Sequence, residues 1–237
     1  MMTKGTGLTL ADEDATAEPQ LPHLEYRSTQ YRTPHQPLIR IPAGPTETCG
    51  PALSLSGAAQ TYDLTAQHSA APIGQRIIVA GRVLDDRGRA IPNALVEIWQ
   101  ANAAGRYAHQ GDSWDAPLDP NFTGAGLVQT DRDGNYRFIT VMPGAYPWGN
   151  HDNAWRPAHI HFAVLGPAIG TRLITQMYFP GDPLVDLDPI VNAIPLTSRQ
   201  RMVARLDLAT TEPAWALAYQ FDIILRGQEQ TPMEHNH

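Results

Sequence analysis

Short apolar runs cut by glycine and proline constrain this chain more than any other feature. Its 237 residues include 19 glycines and 21 prolines, spread between the runs rather than gathered in one linker. Such punctuation between β-forming stretches reads as strands joined by turns. "RIIVAGRVLD" (76–85) and "ALVEIWQA" (94–101) are rich in β-branched and aromatic residues, and "DDRGRAIPN" turns the chain between them. In "TDRDGNYRFITV" (130–141), Asp133-Gly134 stands between polar and alternating apolar residues, a hairpin signal. "HIHFAVLG", "RLITQMYF" and "LAYQFDIILRG" add three more strands. Only "LTSRQRMVARLDLA" (196–209) reads as a helix, with Thr197 or Ser198 as its N-cap. The pattern predicts an all-β fold, a β-sandwich with long loops, an N-terminal arm and one short helix.

The length suits one sizeable domain with an appendage. Residues 1–75 read as an irregular arm packing on the core or on a partner, 76–227 as the sandwich domain, and 228–237 as a C-terminal tail. Neither the first 20 or so residues nor "GQEQTPMEHNH" has a periodicity that would bury a face, so both ends are expected to be loose, His235 and His237 included. With 17 Lys and Arg against 24 Asp and Glu, the net charge of −7 disfavours nucleic acid or an anionic membrane as the main partner. Cys49 is the single cysteine and can form no internal disulfide. The opening residues are polar and acidic, and no apolar run nears the roughly 18 residues of a membrane span, so the expected location is cytoplasmic.

"WRPAHIH" (155–161) sets two histidines one residue apart at the start of a strand. Residues i and i+2 share a strand face, with Cα atoms roughly 6.5 to 7 Å apart, so His159 and His161 can converge on one ion. Such a pair also occurs as ordinary polar strand residues, and the remaining ligands decide. A zinc hydrolase wants a third histidine or a carboxylate with an open position. A cupin-type site wants a glutamate a few residues on, but "FAVLGPAIG" after His161 contains no acid; a ferrous facial triad wants a carboxylate paired with the histidines, which "HIH" does not supply. His151 and Asp152 lie in the turn-like "GNHDNAW" and read as local hydrogen-bonding groups. Two phenols are better candidates. Tyr146, in "MPGAYPW", stands 13 residues before His159 with its direction set by Pro143-Gly144 and Pro147; Tyr107 lies in "NAAGRYAHQGD", a glycine-bearing loop after a strand. Taken alone, Tyr146 reads as a packed corner tyrosine and Tyr107 as a surface aromatic; taken with the histidine pair, both read better as candidate ligands.

At this point the sequence resembles the intradiol ring-cleaving dioxygenases. The matching stretches are "RIIVAGRVLDDRGRAIPNALVEIWQANAAGRYAH", "APLDPNFTGAG", "TDRDGNYRF", "PGAYPW", "WRPAHIHF", "LITQMYFPGDPL" and "LAYQFDIILRG", within a span from about residue 24 to 227. Both tyrosines and both histidines stand at the family's positions. The resemblance implies that Tyr107, Tyr146, His159 and His161 bind a mononuclear non-haem Fe(III), with Tyr146 the ligand that gives way to an incoming catechol. Charge balance makes that set sensible. Two phenolates and a hydroxide neutralise a trivalent ion, whereas Zn(II) with the same anions is left negative in a low-dielectric pocket.

Other residues take roles by the same resemblance. Arg156, three residues before His159, places a permanent positive charge where substrate charge develops, or else makes an ordinary salt bridge. Gln176 hydrogen-bonds near the iron and Arg156, or is a satisfied strand amide. Trp148 and Ile190 wall an aromatic pocket and Tyr26 reaches it from the arm, unless all three are packing residues. Pro180 and Leu127 depart from the more polar residues expected there. By the same resemblance the chain is expected to lack the helical N-terminal dimerisation segment of the catechol and hydroxyquinol enzymes. That favours the branch converting protocatechuate to 3-carboxy-cis,cis-muconate, in which a homologous metal-free α subunit completes the pocket of a hetero-oligomer. Gly81–Tyr146 also resembles prealbumin-like sandwich modules that carry no chemistry. Three readings therefore stand: this ferric dioxygenase, a homo-oligomeric intradiol enzyme for another catechol, and a non-enzymatic binding module.

Overall fold

Apolar side chains that alternate along the longer strands give this chain two sheets with one shared interior. The computed structural model describes residues 24–27, 60–165, 172–225, 227 and 229–233. Its strands are β1 (Arg76–Leu84), β2 (Leu95–Gln100), β3 (Ala125–Gln129), β4 (Asn135–Val141), β5 (Tyr146–Pro147), β6 (Trp155–Arg156), β7 (His159–Leu165), β8 (Leu173–Tyr178), β9 (Arg205–Leu206), β10 (Leu217–Gln220) and β11 (Ile223–Ile224). In the first sheet β1 pairs antiparallel with β4 and parallel with β10 and β11, and β9 follows β10. The second sheet is antiparallel in the order β3-β2-β7-β8. A small ribbon, β5-β6, stands apart.

Ile77, Val79 and Phe138 of the first sheet meet Val96, Ile98, Ile160, Phe162 and Val164 of the second in one buried cluster. The rings of Phe138 and Phe162 lie 6.0 Å apart across it. Each such side chain contributes about 1.5–3 kcal/mol when fully buried. On β7 the even positions face this interior, so the odd positions His159 and His161 point to the opposite face of the sheet.

The fold is mostly strand, as the punctuated runs predict, but four local expectations change. Asp133-Gly134 closes no hairpin: β3 before it pairs with β2, and β4 after it pairs with β1, so the turn carries the chain from one sheet to the other. Turn chemistry fixes the reversal but not the partner, because both flanks bury an apolar face either way. The second difference is that there are two short helices among the described residues, α1 (Pro189–Ala193) and α2 (Leu196–Arg199), rather than one. Asp188 caps α1, with proline at the first turn. Third, the segment 196–209 is helical only at its start, and Pro195, with no side-chain cap, precedes it in place of Thr197 or Ser198. After the 3-10 turn Gln200–Met202 the chain is drawn out, because Ala204 N donates to Tyr178 O at 2.9 Å.

The fourth change is at the C-terminus, which is held rather than loose as far as residue 233. Gln230 and Thr231 are buried, Thr231 N donates to Ile224 O at 2.9 Å, and Thr175 Oγ1 donates to Pro232 O at 2.7 Å. At the other end Leu64 is fully buried in the shared interior, while Thr61 N donates to Leu127 O and Ile139 N to Tyr62 O, both at 2.8 Å. Most of the expected arm, Cys49, His235 and His237 lie outside the described residues.

The first sheet closes on a tight backbone contact at Gly81. A Cβ there would stand 1.8 Å from Phe221 O, which also accepts from Tyr136 Oη at 2.5 Å. Gly81→Ala is expected to destabilise the protein by about 3 kcal/mol through overpacking against backbone. Urea denaturation measures this, and a loss below about 1 kcal/mol would contradict the contact.

Candidate metal centre

The outer face of β7 carries two imidazoles whose rings lie 4.8 Å apart. They are 2% and 8% exposed, so neither is an ordinary surface histidine. His159 Nδ1 lies 2.7 Å from Pro157 O; that carbonyl can only accept, which puts the proton on Nδ1 and leaves a lone pair on Nε2. Burial first, then the charge of Arg156 and the neighbouring His161, hold the His159 imidazole well below its ordinary pKa, against a smaller pull from the Pro157 carbonyl. His159 is therefore neutral, the form that ligates. Trp99, opposite His161 on β2, stacks on it at 4.8 Å with 7° between planes and fixes its ring.

Two loops bring phenols to these imidazoles. After β2, Asn102 turns the chain, its Oδ1 accepting from Ala104 N at 2.9 Å and Arg106 N at 3.0 Å. Gly105 follows with φ +78°, and a Cβ there would stand 2.2 Å from Ala145 O. In the facing loop a Cβ at Gly144 would meet Ala103 O at 2.6 Å, and Gly144 N donates to Asn102 O at 2.9 Å. Only glycines allow the two backbones to touch like this. Each stands two residues before a tyrosine, and the rings of Tyr107 and Tyr146 consequently meet edge-on at 5.5 Å. Tyr107 N donates to Asp112 Oδ2 at 2.8 Å, and Tyr146 pairs with Arg156 across the β5-β6 ribbon.

The four side chains converge. Tyr146 Oη is 3.3 Å from His159 Nε2, and Tyr107 Oη is 3.2 Å from His161 Nε2. Two atoms bonded to one ion at about 2.1 Å stand roughly 3.0–3.4 Å apart when the bonds subtend 90–110°. Among the described residues no group of three or more His, Cys, Asp or Glu could hold a metal ion, so a centre here rests on phenol oxygen and imidazole nitrogen. A cavity of about 550 Å3 opens on this set, lined by Tyr107, Tyr146 and His161 together with Trp99, Asp112 and Thr123.

Arg156 sits beside the centre in a buried polar knot. Its Nε donates to Asp188 Oδ2 at 3.0 Å, and its Nη2 donates to Gln176 Oε1 and, at 3.1 Å, to Tyr178 Oη. Trp148 covers the guanidinium, with Cζ 5.3 Å from the ring centroid. Gln176 Nε2 is buried with no protein partner, an unspent donor next to the imidazoles. Tyr26 packs on Trp148 at 5.5 Å, because Asn150 Nδ2 donates to Glu25 O and Arg27 N donates to Asn150 Oδ1. Ile190 is half-buried on α1. Tyr26, Trp148 and Ile190 do not line the cavity of Tyr107 and His161; they gather on the Arg156 side. His151 bonds locally, its Nδ1 being 2.8 Å from Asp152 O. Asp188, Tyr178, Trp99 and Asn150 are the residues that sequence reasoning passed over. Tyr178 was within reach, two residues from Gln176 on the same strand face, and Asp188-Pro189 was a legible helix start.

Comparison with known proteins places these features in a lineage. A family model described as "Dioxygenase" matches residues 48–227. The chain is 51% identical over 228 residues to the protocatechuate 3,4-dioxygenase beta chain of Burkholderia cepacia, spanning 95% of this chain and 97% of that one. It is 30% identical over 197 residues to the alpha chain of the same species, spanning 79% and 94%. Among solved structures, catechol 1,2-dioxygenase from Acinetobacter sp. ADP1 aligns with a TM-score of 0.52 at 26% identity over 76% of this chain and 63% of that one. The 3-chlorocatechol 1,2-dioxygenase of Rhodococcus opacus 1CP, at 22% identity over 75% and 73%, shares the fold with a TM-score of 0.55. A match through residue 227 and a full-length relative sharing half of its positions lead to one conclusion: this chain belongs to the intradiol ring-cleaving dioxygenase family.

Proposed function

We propose that this chain is the catalytic, iron-bearing β subunit of a protocatechuate 3,4-dioxygenase, cleaving 3,4-dihydroxybenzoate with O2 to 3-carboxy-cis,cis-muconate in the β-ketoadipate route of aromatic degradation. The observation that carries the reading is the meeting of Tyr107, Tyr146, His159 and His161 at one point beside buried Arg156. The donor set fits ferric iron: two hard anionic oxygens suit a trivalent ion, and two imidazole nitrogens complete the set without adding negative charge. Held there by Tyr107, Tyr146, His159 and His161, Fe(III) would supply Lewis acidity toward a catecholate.

The chain's own residues do the rest. Tyr107 and both histidines are the lasting holders, each ring braced by its neighbours. Tyr146 is the mobile member: its phenolate oxygen takes one proton of the incoming diol as it yields its place, so the net charge of the buried site is unchanged. Arg156 holds a fixed positive charge toward the ring as negative charge develops, an electrostatic contribution worth about 10²–10³ in rate for one well-placed donor. Gln176 Nε2 offers a hydrogen bond from the same side. Trp148, Ile190 and Tyr26 stand outside the cavity lined by Tyr107 and His161 and offer, on the Arg156 side, the aromatic and aliphatic wall against which the substrate ring packs.

The wider setting follows the same reading. A homologous α subunit completes the pocket and helps to hold the substrate carboxylate, and the assembly is a hetero-oligomer of α-β units; the alpha chain similar to this one supports that. The two sheets are a prealbumin-like sandwich, with residues 1–75 as an arm on the core or on a partner, 76–227 as the catalytic domain and 228–237 as the tail. No helix among the described residues is long and apolar enough to cross a membrane, which fits a cytoplasmic enzyme.

Iron-loaded protein should be red-brown from phenolate-to-Fe(III) charge transfer and should bleach when a chelator removes the iron; a colourless, fully loaded sample would rule the reading out. Tyr146→Phe should slow substrate binding by about tenfold or more while iron content, read by elemental analysis, stays near that of the wild type. Complete iron loss in that variant would contradict its mobile role. Ring cleavage of protocatechuate should require co-expression with the α chain, and full activity from this chain alone would remove the heteromeric assignment in favour of a homo-oligomer.

A further inference from the structure

Asp188 belongs to no motif that points to the site, yet it is fully buried against a residue that does. Its two oxygens serve two different elements. Oδ1 accepts from Ile190 N at 2.9 Å and caps α1, while Oδ2 accepts from Arg156 Nε at 3.0 Å and faces Tyr178 Oη at 3.3 Å. A guanidinium presents its five N–H groups in one rigid plane. Asp188 anchors the Nε edge of that plane, Gln176 and Tyr178 anchor Nη2, and Trp148 covers a face. With two in-plane anchors the plane cannot rotate, so the direction of its charge is set before substrate arrives. A buried ion pair is a poor device for stability alone, since the desolvation of both groups offsets their attraction.

We propose that Asp188 is a positioning residue for Arg156: its carboxylate fixes the plane in which the guanidinium meets the charge developing on the substrate ring, and its helix cap ties Ile190 to the same anchor. The inference rests on the ring-cleavage reading above and adds a residue to it. Asp188 acts through Arg156 and Ile190 and is not itself placed against substrate.

Asp188→Asn separates these roles, because asparagine caps a helix as well as aspartate does but carries no charge. The protein is prepared with iron and its α chain, and turnover, anaerobic binding of protocatechuate, the visible spectrum and the melting temperature are measured. Expected is a fall in kcat of at least about tenfold, with anaerobic Kd within about threefold of wild type and an unchanged charge-transfer band. In an Arg156→Gln background, where no guanidinium remains to be aimed, adding Asp188→Asn should change kcat by less than about twofold. A kcat for Asp188→Asn within twofold of wild type, or an equal loss in both backgrounds, overturns the proposal. Should the single variant fail to fold, the Arg156→Gln/Asp188→Asn pair, which removes both charges, decides against Arg156→Gln alone by the same twofold limit. Wild type is assayed alongside: no ring cleavage there overturns the functional reading itself, whereas an active wild type leaves only the role of Asp188 at stake.

Discussion

Backbone touches backbone where Gly105 meets Ala145 and Gly144 meets Ala103, and the candidate centre depends on that contact. Any side chain at either glycine would hold the loops apart by the width of a methyl group or more. The phenols would then no longer meet, because each tyrosine stands only two residues beyond its glycine and has no slack to make up the distance. Asn102 reinforces the arrangement from beneath, its side chain shaping one loop and its carbonyl accepting from both glycines. The residues that look chemically dullest in the two loops are thus the ones that bring the candidate ligands together.

Core and site are two faces of one strand. Ile160, Phe162 and Val164 lock β7 into the shared interior, and the period of two then obliges His159 and His161 to face the other way. Sliding β7 by one residue against its neighbours would drive both imidazoles into apolar packing and eject Phe162, so the hydrophobic interior enforces the register of the site. The same alternation on β8 and β2 sends Gln176, Tyr178 and Trp99 to the histidine side while Met177 and Ile98 pack inside. Stability and chemistry share one constraint and do not compete for positions here.

Much of this was legible before any coordinates. The long strands β1, β2, β4, β7 and β8 follow from period and β-branched content, and the i, i+2 histidines announce a common face. The glycine-bearing loops mark the tyrosines, because unusual backbone close to a strand end signals a built feature. What the sequence did not disclose was mostly pairing at a distance. Asp133-Gly134 looks the same whether its strands join each other or separate sheets, and "LTSRQRMVARL" has helical periodicity that loses to a backbone bond with Tyr178. Thr231 and Pro232 have no periodic signature, since two hydrogen bonds hold them rather than an apolar stripe. Asp188 escaped for a related reason: an acid before proline reads as a turn or cap, and its partner lies on another element.

The pairing of β1 has a bearing on how the chain assembles. One side of β1 is matched by β4 at residues 135–141, but the other waits for β10 and β11, with Ile77 aligned to Leu217 and Val83 to Ile223. Connections this distant in sequence are closed late and slowly. During synthesis the nascent domain therefore exposes an open strand edge until residues 217–224 have emerged, and such an edge is a template for pairing with another strand. Phe221, whose carbonyl receives Tyr136 and presses on Gly81, is the latch that ends this vulnerable interval.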